Sequence, residues 1–267
     1  IQSGASSNEA FYLDRLYVIG DSICHGFNVY GFVPHEHCLT QSSVSMWNLD
    51  YFTFDTPSGT YGMVDAVAAV RPELLYMSLG MNDVKMNDPE SFASKYVSVA
   101  LDIISRDPDI NIVIAGITPI DTTITSFTAN ETIRSYNAAL ESKIKSMNST
   151  RILYFDAYSV LADPTTLALK EGTTSGDGIH LSTSCYTELL AQLYSFLDTT
   201  PVMNQIKAST DPEERAQLSA KAEKILMATG SVNPLYYYTT AQMLKPIVHD
   251  VIRLATGDVI WTYADID

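Results

Sequence analysis

Apolar runs rich in β-branched and aromatic residues are spaced along the first part of the chain. Four of them lie at residues 16–19, 74–79, 112–117 and 152–155, and each is followed by a turn or a polar segment. Runs of this length without polar alternation are typical of strands that are buried on both faces. A fifth strand is predicted near residues 38–44.

Helical patterns lie between the apolar runs. Residues 92–106 place apolar side chains three or four positions apart, and residues 132–147 and 182–197 show similar spacing. This alternation predicts an α/β fold with a doubly wound, mostly parallel five-stranded sheet and helices on both faces. Active groups are then expected outside the carboxyl ends of the strands. The helix over 182–197 would close this domain, which we predict to span residues 11–200.

The last part of the chain, residues 201–267, has a different character. Its pattern predicts two helices, over 211–229 and 239–255, and leaves room for a strand at 259–263. This helical appendage would be either a cap on the sheet domain or the beginning of a second module.

Composition and charge narrow the classes of function. Hydrophobic residues make up 46% of the chain and charged residues 18%, which is the balance of a protein that buries a core. The formal net charge of −15 repels phosphate backbones, which argues against nucleic acid as a partner. No apolar run approaches the roughly 20 residues that a membrane-spanning helix needs.

The start of the chain and its cysteines bear on location. The sequence begins without Met, and residues 1–10 are rich in small and polar side chains, as expected where a leader or anchor is removed from a longer product. We therefore expect a secreted or cell-surface protein, with a cytoplasmic location left open. The three cysteines lack metal-type spacing, and their odd number leaves at least one unpaired. A bridge between Cys24 and Cys38 stays open.

A Gly-Asp-Ser turn at residues 20–22 directly follows the first predicted strand. It places the Ser22 hydroxyl at the carboxyl end of that strand and the Ser22 N–H at a helix start, where backbone donors stabilise developing negative charge. This position suits a nucleophile, although the tripeptide alone also fits a turn with an N-cap. Asp21 is expected to bond the backbone of the turn rather than to react.

A second candidate is the loop that precedes the helix over 182–197. It contains Asp177 and His180, three residues apart. This spacing lets the carboxylate fold back onto the Nδ1–H of the imidazole, so that Nε2 points outward to take a proton from a serine. Taken alone, the loop also fits a helix-capping aspartate beside a solvated histidine.

A third candidate is the turn after the strand at 74–79. The Asn82 amide can donate to an oxyanion there, and Gly80 lets a substrate carbonyl approach closely. Ordinary turn chemistry is the alternative. Asp83, next in the chain, is expected to be structural.

Together these segments resemble the conserved blocks of the SGNH (GDSL-type) hydrolase family. The Gly-Asp-Ser block lies at 20–22, the Gly-x-Asn-Asp block at 80–83 and the Asp-x-x-His block at 177–180, in the order and approximate spacing of the family. The resemblance covers roughly residues 14–198 and implies the flavodoxin-like fold of that family.

The resemblance also implies the role of each residue. Ser22 would attack an ester carbonyl, His180 would be the general base and then the general acid, and Asp177 would orient His180. The oxyanion hole would use the N–H of Ser22, the side chain of Asn82 and a backbone N–H from a further family block, assigned to Ser45.

The block that should supply this backbone N–H departs from the family pattern. The family places a glycine soon after the second strand, whereas residues 42–48 contain none. A backbone donor needs no particular side chain, so Ser45 or Met46 could serve. Gly59 and Gly62 are the alternatives if the alignment of this block differs.

The implied activity is hydrolysis of a small acyl ester, such as an acetyl ester on a carbohydrate, through an acyl-serine intermediate. The family also admits acyl transfer to a sugar hydroxyl, and the missing glycine leaves room for a non-catalytic carbohydrate-binding module on the same scaffold. The expected partner is a small-molecule or carbohydrate ester. No cofactor is implied, because acyl chemistry needs only protein groups.

Two further features can be interpreted either as structural or as functional. The aromatic residues Tyr30, Trp47, Tyr51 and Phe52 could form a platform for a sugar ring or belong to the core. The His-Glu-His segment at 35–37 has two metal-ligand side chains but no further predicted ligand, and such a segment is more often a solvated loop.

Overall fold

A computed structural model of the protein describes residues 8–85, 88–124 and 128–200, together with four two-residue strands between residues 248 and 266. The chain divides into two compact units, Ile1–Ala208 and Ser209–Asp267. The predicted boundary at residue 200 lies close to this division. Among the described helices, none combines the length and the apolar character that would let it cross a membrane.

The first unit is built on a five-stranded parallel sheet with the spatial order β2-β1-β5-β6-β7. The predicted α/β fold is confirmed. The fifth strand is shorter than predicted because Ser43 adopts a left-handed conformation, with φ of 65°, in the turn that follows it. The strands of this sheet are β1 (Leu16–Gly20), β2 (Cys38–Thr40), β5 (Leu74–Ser78), β6 (Asn111–Ala115) and β7 (Ile152–Phe155), and a separate hairpin is formed by β3 (Phe54–Thr56) and β4 (Gly59–Tyr61).

Helices cover the sheet, and their apolar stripes face it. The longest, α4, starts at Pro89 after the N-cap Asp88 and buries one face against the sheet, including Tyr96 and Ile103. The helices α3, α4 and α5 pack beside one another, and α7 packs against α1 and α6. The helices are α1 (Glu9–Leu13), α2 (Ser22–Val29), α3 (Met63–Val70), α4 (Pro89–Arg106), α5 (Asn130–Ser146), α6 (Ala157–Leu161) and α7 (Thr183–Asp198).

The strand order creates a switch point between β1 and β5. From β1 the chain first moves outward to the edge strand β2 and then crosses back to β5 on the other side of β1. In open parallel sheets of this kind, ligands bind in the crevice where the strand order reverses. The turns after β1 and β5 hold two of the sequence-predicted site segments.

The second unit contains short antiparallel strand pairs. The strand β8 (Val248–His249) pairs with β11 (Asp265–Ile266), and β9 (Ile252–Arg253) pairs with β10 (Val259–Ile260). The predicted helix over 239–255 is therefore wrong where it covers β8 and β9. Its apolar spacing fits a helix, but these residues are rich in β-branched side chains, which favour strands. The predicted helix over 211–229 lies outside the described residues.

Candidate active site

Ser22 is the first residue of α2 and follows the end of β1 directly. Only glycine fits at position 20, since a Cβ there would overlap the carbonyl of Ser78 on the neighbouring strand. Asp21 is the N-cap of α2, and its carboxylate accepts a hydrogen bond from the N–H of Ile23 at 2.9 Å. The strand-to-helix turn thus holds the Ser22 hydroxyl at the carboxyl edge of the sheet.

Asp21 has the structural role that the sequence predicts. It is almost fully buried, and this burial raises the pKa of its carboxyl group to about 6, although hydrogen bonds from the backbone N–H groups of Ile23 and Cys24 oppose the shift. Because Asp21 bonds the second and third N–H groups of the helix, the first one, on Ser22, has no partner within the helix. That N–H remains suited to an oxyanion.

His180 and Ser22 meet although they are 158 residues apart in the chain. The Nε2 atom of His180 lies 2.8 Å from the Ser22 Oγ. On the other side of the ring, Nδ1 lies 2.5 Å from Oδ2 of Asp177. Because ionised Asp177 can only accept, Nδ1 carries the proton and Nε2 is the acceptor for the serine hydroxyl. The structure therefore brings together all three residues predicted as nucleophile, base and orienter.

The Asp177 carboxylate is held by its own loop. Its Oδ1 atom accepts hydrogen bonds from the N–H groups of Ile179 at 2.9 Å and His180 at 2.8 Å. Partial burial acts to raise the pKa of Asp177, but the hydrogen bonds from the His180 side chain and from these two N–H groups outweigh it and lower the pKa to about 2. Asp177 is thus ionised at neutral pH and can stabilise a protonated His180.

The helices that follow the nucleophile and the base are joined to each other. The hydroxyl of Tyr186, on α7, donates a buried hydrogen bond of 2.6 Å to the carbonyl oxygen of Ile23 on α2. Gly26 makes room for this contact, since a Cβ at that position would overlap the Tyr186 ring. Because α7 begins three residues after His180, this contact fixes the histidine loop relative to Ser22.

Asn82 lies in the turn after β5, next to the strand that ends in the nucleophile turn. One hydrogen of its side-chain amide is donated from Nδ2 to the carbonyl oxygen of Val44 at 2.9 Å. An amide group has two such hydrogens, so the second one is left for a substrate oxygen. The turns after the neighbouring strands β1 and β5 thus each carry a donor, the Ser22 N–H and the Asn82 amide.

The structure gives Ser45 a different role from the predicted one. Its N–H donates to Oδ1 of Asn48 at 2.7 Å, and its Oγ accepts from the N–H groups of Trp47 and Asn48, both at 3.3 Å. This reciprocal pattern is similar to a capping box: the Ser45 side chain caps the turn of residues 46–48, which leads into the 3-10 helix Leu49–Tyr51, whose own N-cap is Asn48. The Ser45 N–H is already used, so its assignment as an oxyanion donor is corrected. We refer to residues 45–51 as the capped turn.

Of the other candidates for this backbone donor, Met46 is also already bonded, and the two glycines lie in other elements. The N–H of Met46 donates to Oδ2 of Asp83 at 3.1 Å. Gly59 belongs to the β3–β4 hairpin, and Gly62 is the N-cap of α3. The Ser-x-x-Asn spacing of Ser45 and Asn48 was the sequence signal for this capping pattern.

Asp83 is a fully buried carboxyl group behind the capped turn. Burial raises its pKa to about 6, while the N–H groups of Met46 and Trp47 act to lower it. Its second oxygen, Oδ1, is buried and makes no hydrogen bond to another group of the described residues. Asp83 is thus structural, as predicted, and it touches the segment that carries the Val44 carbonyl.

Aromatic side chains and a polar cavity flank this edge of the sheet. Trp47 and Tyr51 of the capped turn are 53% and 88% exposed, and Tyr30 is 38% exposed, whereas Phe52 packs against the core. A cavity of about 310 Å³ lies next to β2, and its lining includes His25, His35, Glu36, Thr40, Gln41 and Asp55.

The histidine segment and the cysteines give no metal site in the part of the chain that the structure describes. Residues His35–His37 form a single 3-10 turn, and the described residues contain no group of three or more His, Cys, Asp or Glu side chains placed to hold a metal ion. Cys24, Cys38 and Cys185 are all free thiols, so the open bridge between Cys24 and Cys38 is not formed.

Comparison with known proteins identifies the family of the chain. Residues 18–187 match the model of the GDSL-like lipase/acylhydrolase family. Among solved structures, a GDSL-like lipase from Bacteroides thetaiotaomicron superposes with a TM-score of 0.53 and 18% identity over 72% of this chain and 97% of that one. A carbohydrate esterase of family 3 from Talaromyces cellulolyticus gives a TM-score of 0.50 and 13% identity over 71% and 98%. No curated protein matches the chain.

Proposed function

The chain belongs to the GDSL-like lipase/acylhydrolase family, and on this premise we propose that it is a serine esterase that hydrolyses small acyl esters, such as acetyl groups carried by a carbohydrate. The observation that supports the proposal most strongly is the unbroken line of hydrogen bonds from Asp177 through His180 to Ser22, with distances of 2.5 Å and 2.8 Å. Geometry of this kind activates a serine hydroxyl.

In the first half of the proposed reaction, the Ser22 Oγ attacks the ester carbonyl carbon while its proton passes to Nε2 of His180. The negative charge that forms on the carbonyl oxygen is stabilised by the Ser22 N–H and the second amide hydrogen of Asn82. The C–O bond to the alcohol then breaks, and His180 gives its proton to the departing alkoxide. The acyl group remains on Ser22 as an ester.

In the second half, water takes the place of the alcohol. His180 removes a proton from the water, the resulting oxygen attacks the acyl carbon, and Ser22 leaves with the proton returned from His180. The carboxylic acid is released and the site is restored. Asp177 stays ionised throughout and keeps the ring of His180 in the orientation that both halves require.

A polar cavity reached along α2 from Ser22, but not lined by Ser22 or His180 themselves, supports a polar alcohol half of the ester. His25 lies one turn of α2 beyond Ser22, and it lines the cavity beside β2 together with Gln41 and Asp55. Hydrogen-bonding groups of this kind suit hydroxyl-bearing ligands. Exposed Trp47, which follows Gln41 closely in the chain, offers a flat apolar surface. The structural neighbour from Talaromyces cellulolyticus is itself a carbohydrate esterase.

Covalent labelling tests the proposed nucleophile. A fluorophosphonate probe is expected to label the wild-type protein and to leave Ser22→Ala unlabelled, because only an activated serine reacts with it. Absence of labelling in the wild type would instead support a non-catalytic binding module on the same scaffold.

A panel of esters tests the proposed substrate class. The value of kcat/KM should fall as the acyl chain lengthens from acetyl to octanoyl. It should be higher for acetylated sugars than for ethyl acetate. Adding a free sugar as acceptor separates hydrolysis from acyl transfer. Appearance of the acylated sugar in place of free acetate would favour transfer.

A further inference from the structure

Asp83 is a buried carboxyl group that the proposed reaction does not use, and the structure gives it a specific pair of partners. We propose that Asp83 is a positioning residue for the oxyanion hole. Asp83 holds the start of the capped turn in place, and the Val44 carbonyl next to it then orients the Asn82 amide. The inference rests on the proposed esterase function for its kinetic consequences, whereas the contacts that carry it are independent of that function.

Two neighbouring side chains hold the same short segment from both sides of Ser45. Asn82 donates to the carbonyl oxygen of Val44 at 2.9 Å. Asp83 accepts from the N–H of Met46 at 3.1 Å and shares the N–H of Trp47 with the Ser45 hydroxyl. Since Asn82 and Asp83 are adjacent in the turn after β5, the two contacts fix the segment after β2 relative to the turn after β5.

The choice of a carboxylate follows from where it lies. The N–H groups of Met46 and Trp47 lie at the start of the capped turn, and a backbone N–H bonds an ionised carboxylate more strongly than it bonds a neutral acceptor. Fully buried, Asp83 is costly to place, and its Oδ1 atom makes no hydrogen bond to another group of the described residues. An apolar side chain could fill this space but could not accept from these N–H groups, so the carboxylate is the feature that holds them.

The effect of Asp83 on the reaction passes through Asn82. The Asn82 side chain can rotate about its own bonds, and its hydrogen bond to Val44 selects one orientation, which leaves the second hydrogen directed away from that carbonyl. If the segment moves, the Val44 oxygen moves with it. Loss of Asp83 therefore cannot cost more catalysis than loss of the Asn82 amide itself, which is about 100- to 1000-fold in kcat for a side-chain oxyanion donor.

Single substitutions give the first test. Asp83→Ala removes both acceptor contacts, and we expect kcat on p-nitrophenyl acetate to fall about 10- to 100-fold with KM changed less than threefold. Asp83→Asn keeps one acceptor oxygen and should lose less. A kcat of Asp83→Ala equal to that of the wild type would overturn the proposal.

The double mutant separates a positioning role from a general loss of stability. In the Asn82→Ala background, Asp83→Ala should change kcat by less than threefold, because the group through which it acts is already absent. A further tenfold loss in the double mutant would overturn the proposal. The matched control is Asp107→Ala, another buried aspartate, at the end of α4 and remote from Ser22. It should lower the Tm and leave kcat unchanged within twofold.

Hydrogen exchange gives a readout that does not require turnover. The N–H groups of Met46 and Trp47 should exchange at least tenfold faster in Asp83→Ala than in Asp107→Ala, measured well below the Tm of both. Equal exchange in the two variants would overturn the positioning role. If the wild type hydrolyses no ester while exchange is accelerated, the proposed function fails and the placement of Asp83 stands.

Discussion

Two turns that follow neighbouring parallel strands, at the start of α2 and after β2, use their N–H groups in opposite ways. At the start of α2, Asp21 bonds the N–H groups of Ile23 and Cys24 and leaves that of Ser22 for a ligand. In the capped turn, by contrast, the first N–H groups are all bonded to Ser45 or to Asp83.

The difference indicates that such a turn can bind an anion only where one of its backbone N–H groups has no acceptor within the protein. Both turns follow parallel strands, and both are capped by a short polar side chain. What separates them is a second acceptor, Asp83, which is 37 residues away from Met46 in the chain. The turn at the start of α2, which we call the open turn, can therefore bind a ligand. The capped turn instead stabilises the structure around it.

The largest expected effect comes from the open turn itself. Ser22→Ala removes the nucleophile, and we expect kcat to fall by about a million-fold, the loss seen when the serine of such a triad is removed. The Tm should change little, since the hydroxyl is half-buried and its hydrogen bond to His180 is local. Ser42→Ala, an exposed serine near the capped turn, is the control and should keep full activity. Comparable kcat values for the two variants would contradict the role of Ser22.

The next largest effect concerns the residue that orients the base. Asp177→Asn replaces the acceptor of the His180 Nδ1–H by a group that can present a donor there, and kcat should fall about ten-thousand-fold. Asp121→Asn, in an exposed loop nearby in space, is the matched control, because Asp121 bonds Thr123 and not the histidine. A loss below tenfold for Asp177→Asn, measured as kcat/KM on p-nitrophenyl acetate, would remove Asp177 from the proposed mechanism.

The pH dependence of stability sharpens the comparison between the two turns. Asp83 has its pKa raised by burial to about 6, so between pH 4 and 6 the folded state binds more protons than the unfolded state. The free energy of unfolding should therefore fall as pH rises through this window, by on the order of 2 kcal/mol from this group.

Urea unfolding at pH 4.5 and pH 6.5 measures this effect. In Asp83→Asn, the change in the free energy of unfolding between these pH values should be smaller, because the contribution of Asp83 is removed. The contribution of Asp21, whose pKa is also raised to about 6, should remain. Asp177 has its pKa lowered to about 2, so its contribution to stability is present above pH 4 and is lost as pH falls toward 2, outside this window. An unchanged pH dependence in Asp83→Asn would show that Asp83 does not titrate there.

The smallest effect is expected from the side chain that caps the capped turn. Ser45→Ala removes the acceptor for the N–H groups of Trp47 and Asn48, and the free energy of unfolding should fall by about 1 kcal/mol. Because Asp83 still holds Met46, kcat should change less than tenfold. Thermal unfolding and turnover on p-nitrophenyl acetate measure the two quantities. A large loss of kcat with unchanged stability would return Ser45 to the oxyanion hole.

Most of the sheet, and the meeting of Ser22 with His180 and Asp177, could be predicted from the sequence because each depends on local signals. The strands are short apolar runs, and the paired positions Asp177 and His180 lie within one loop. The carboxyl ends of parallel strands meet at one edge, so the sequence alone predicts that Ser22 and Asn82 lie there.

Two features could not be predicted in the same way: the hydrogen bonding of the backbone N–H assigned to Ser45, and the strands β8 and β9 near the end of the chain. Whether the N–H of Ser45 is free depends on the Asn48 side chain, and the N–H of Met46 on Asp83, which only the folded chain brings close. In the tail, Val248 and Ile252 are four residues apart, a spacing that a helix would place on one face, yet both lie in strands.

The hydrogen bond between Tyr186 and the carbonyl of Ile23 ties the first helix after the nucleophile to the last helix of the sheet domain. During synthesis the ribosome releases the N-terminal residues first, so Ser22 emerges long before His180 exists. Under the proposed mechanism, a nascent chain therefore carries an inert serine, and reactivity would arise only when α7 docks. Covalent labelling of Ser22 would accordingly report the completion of folding.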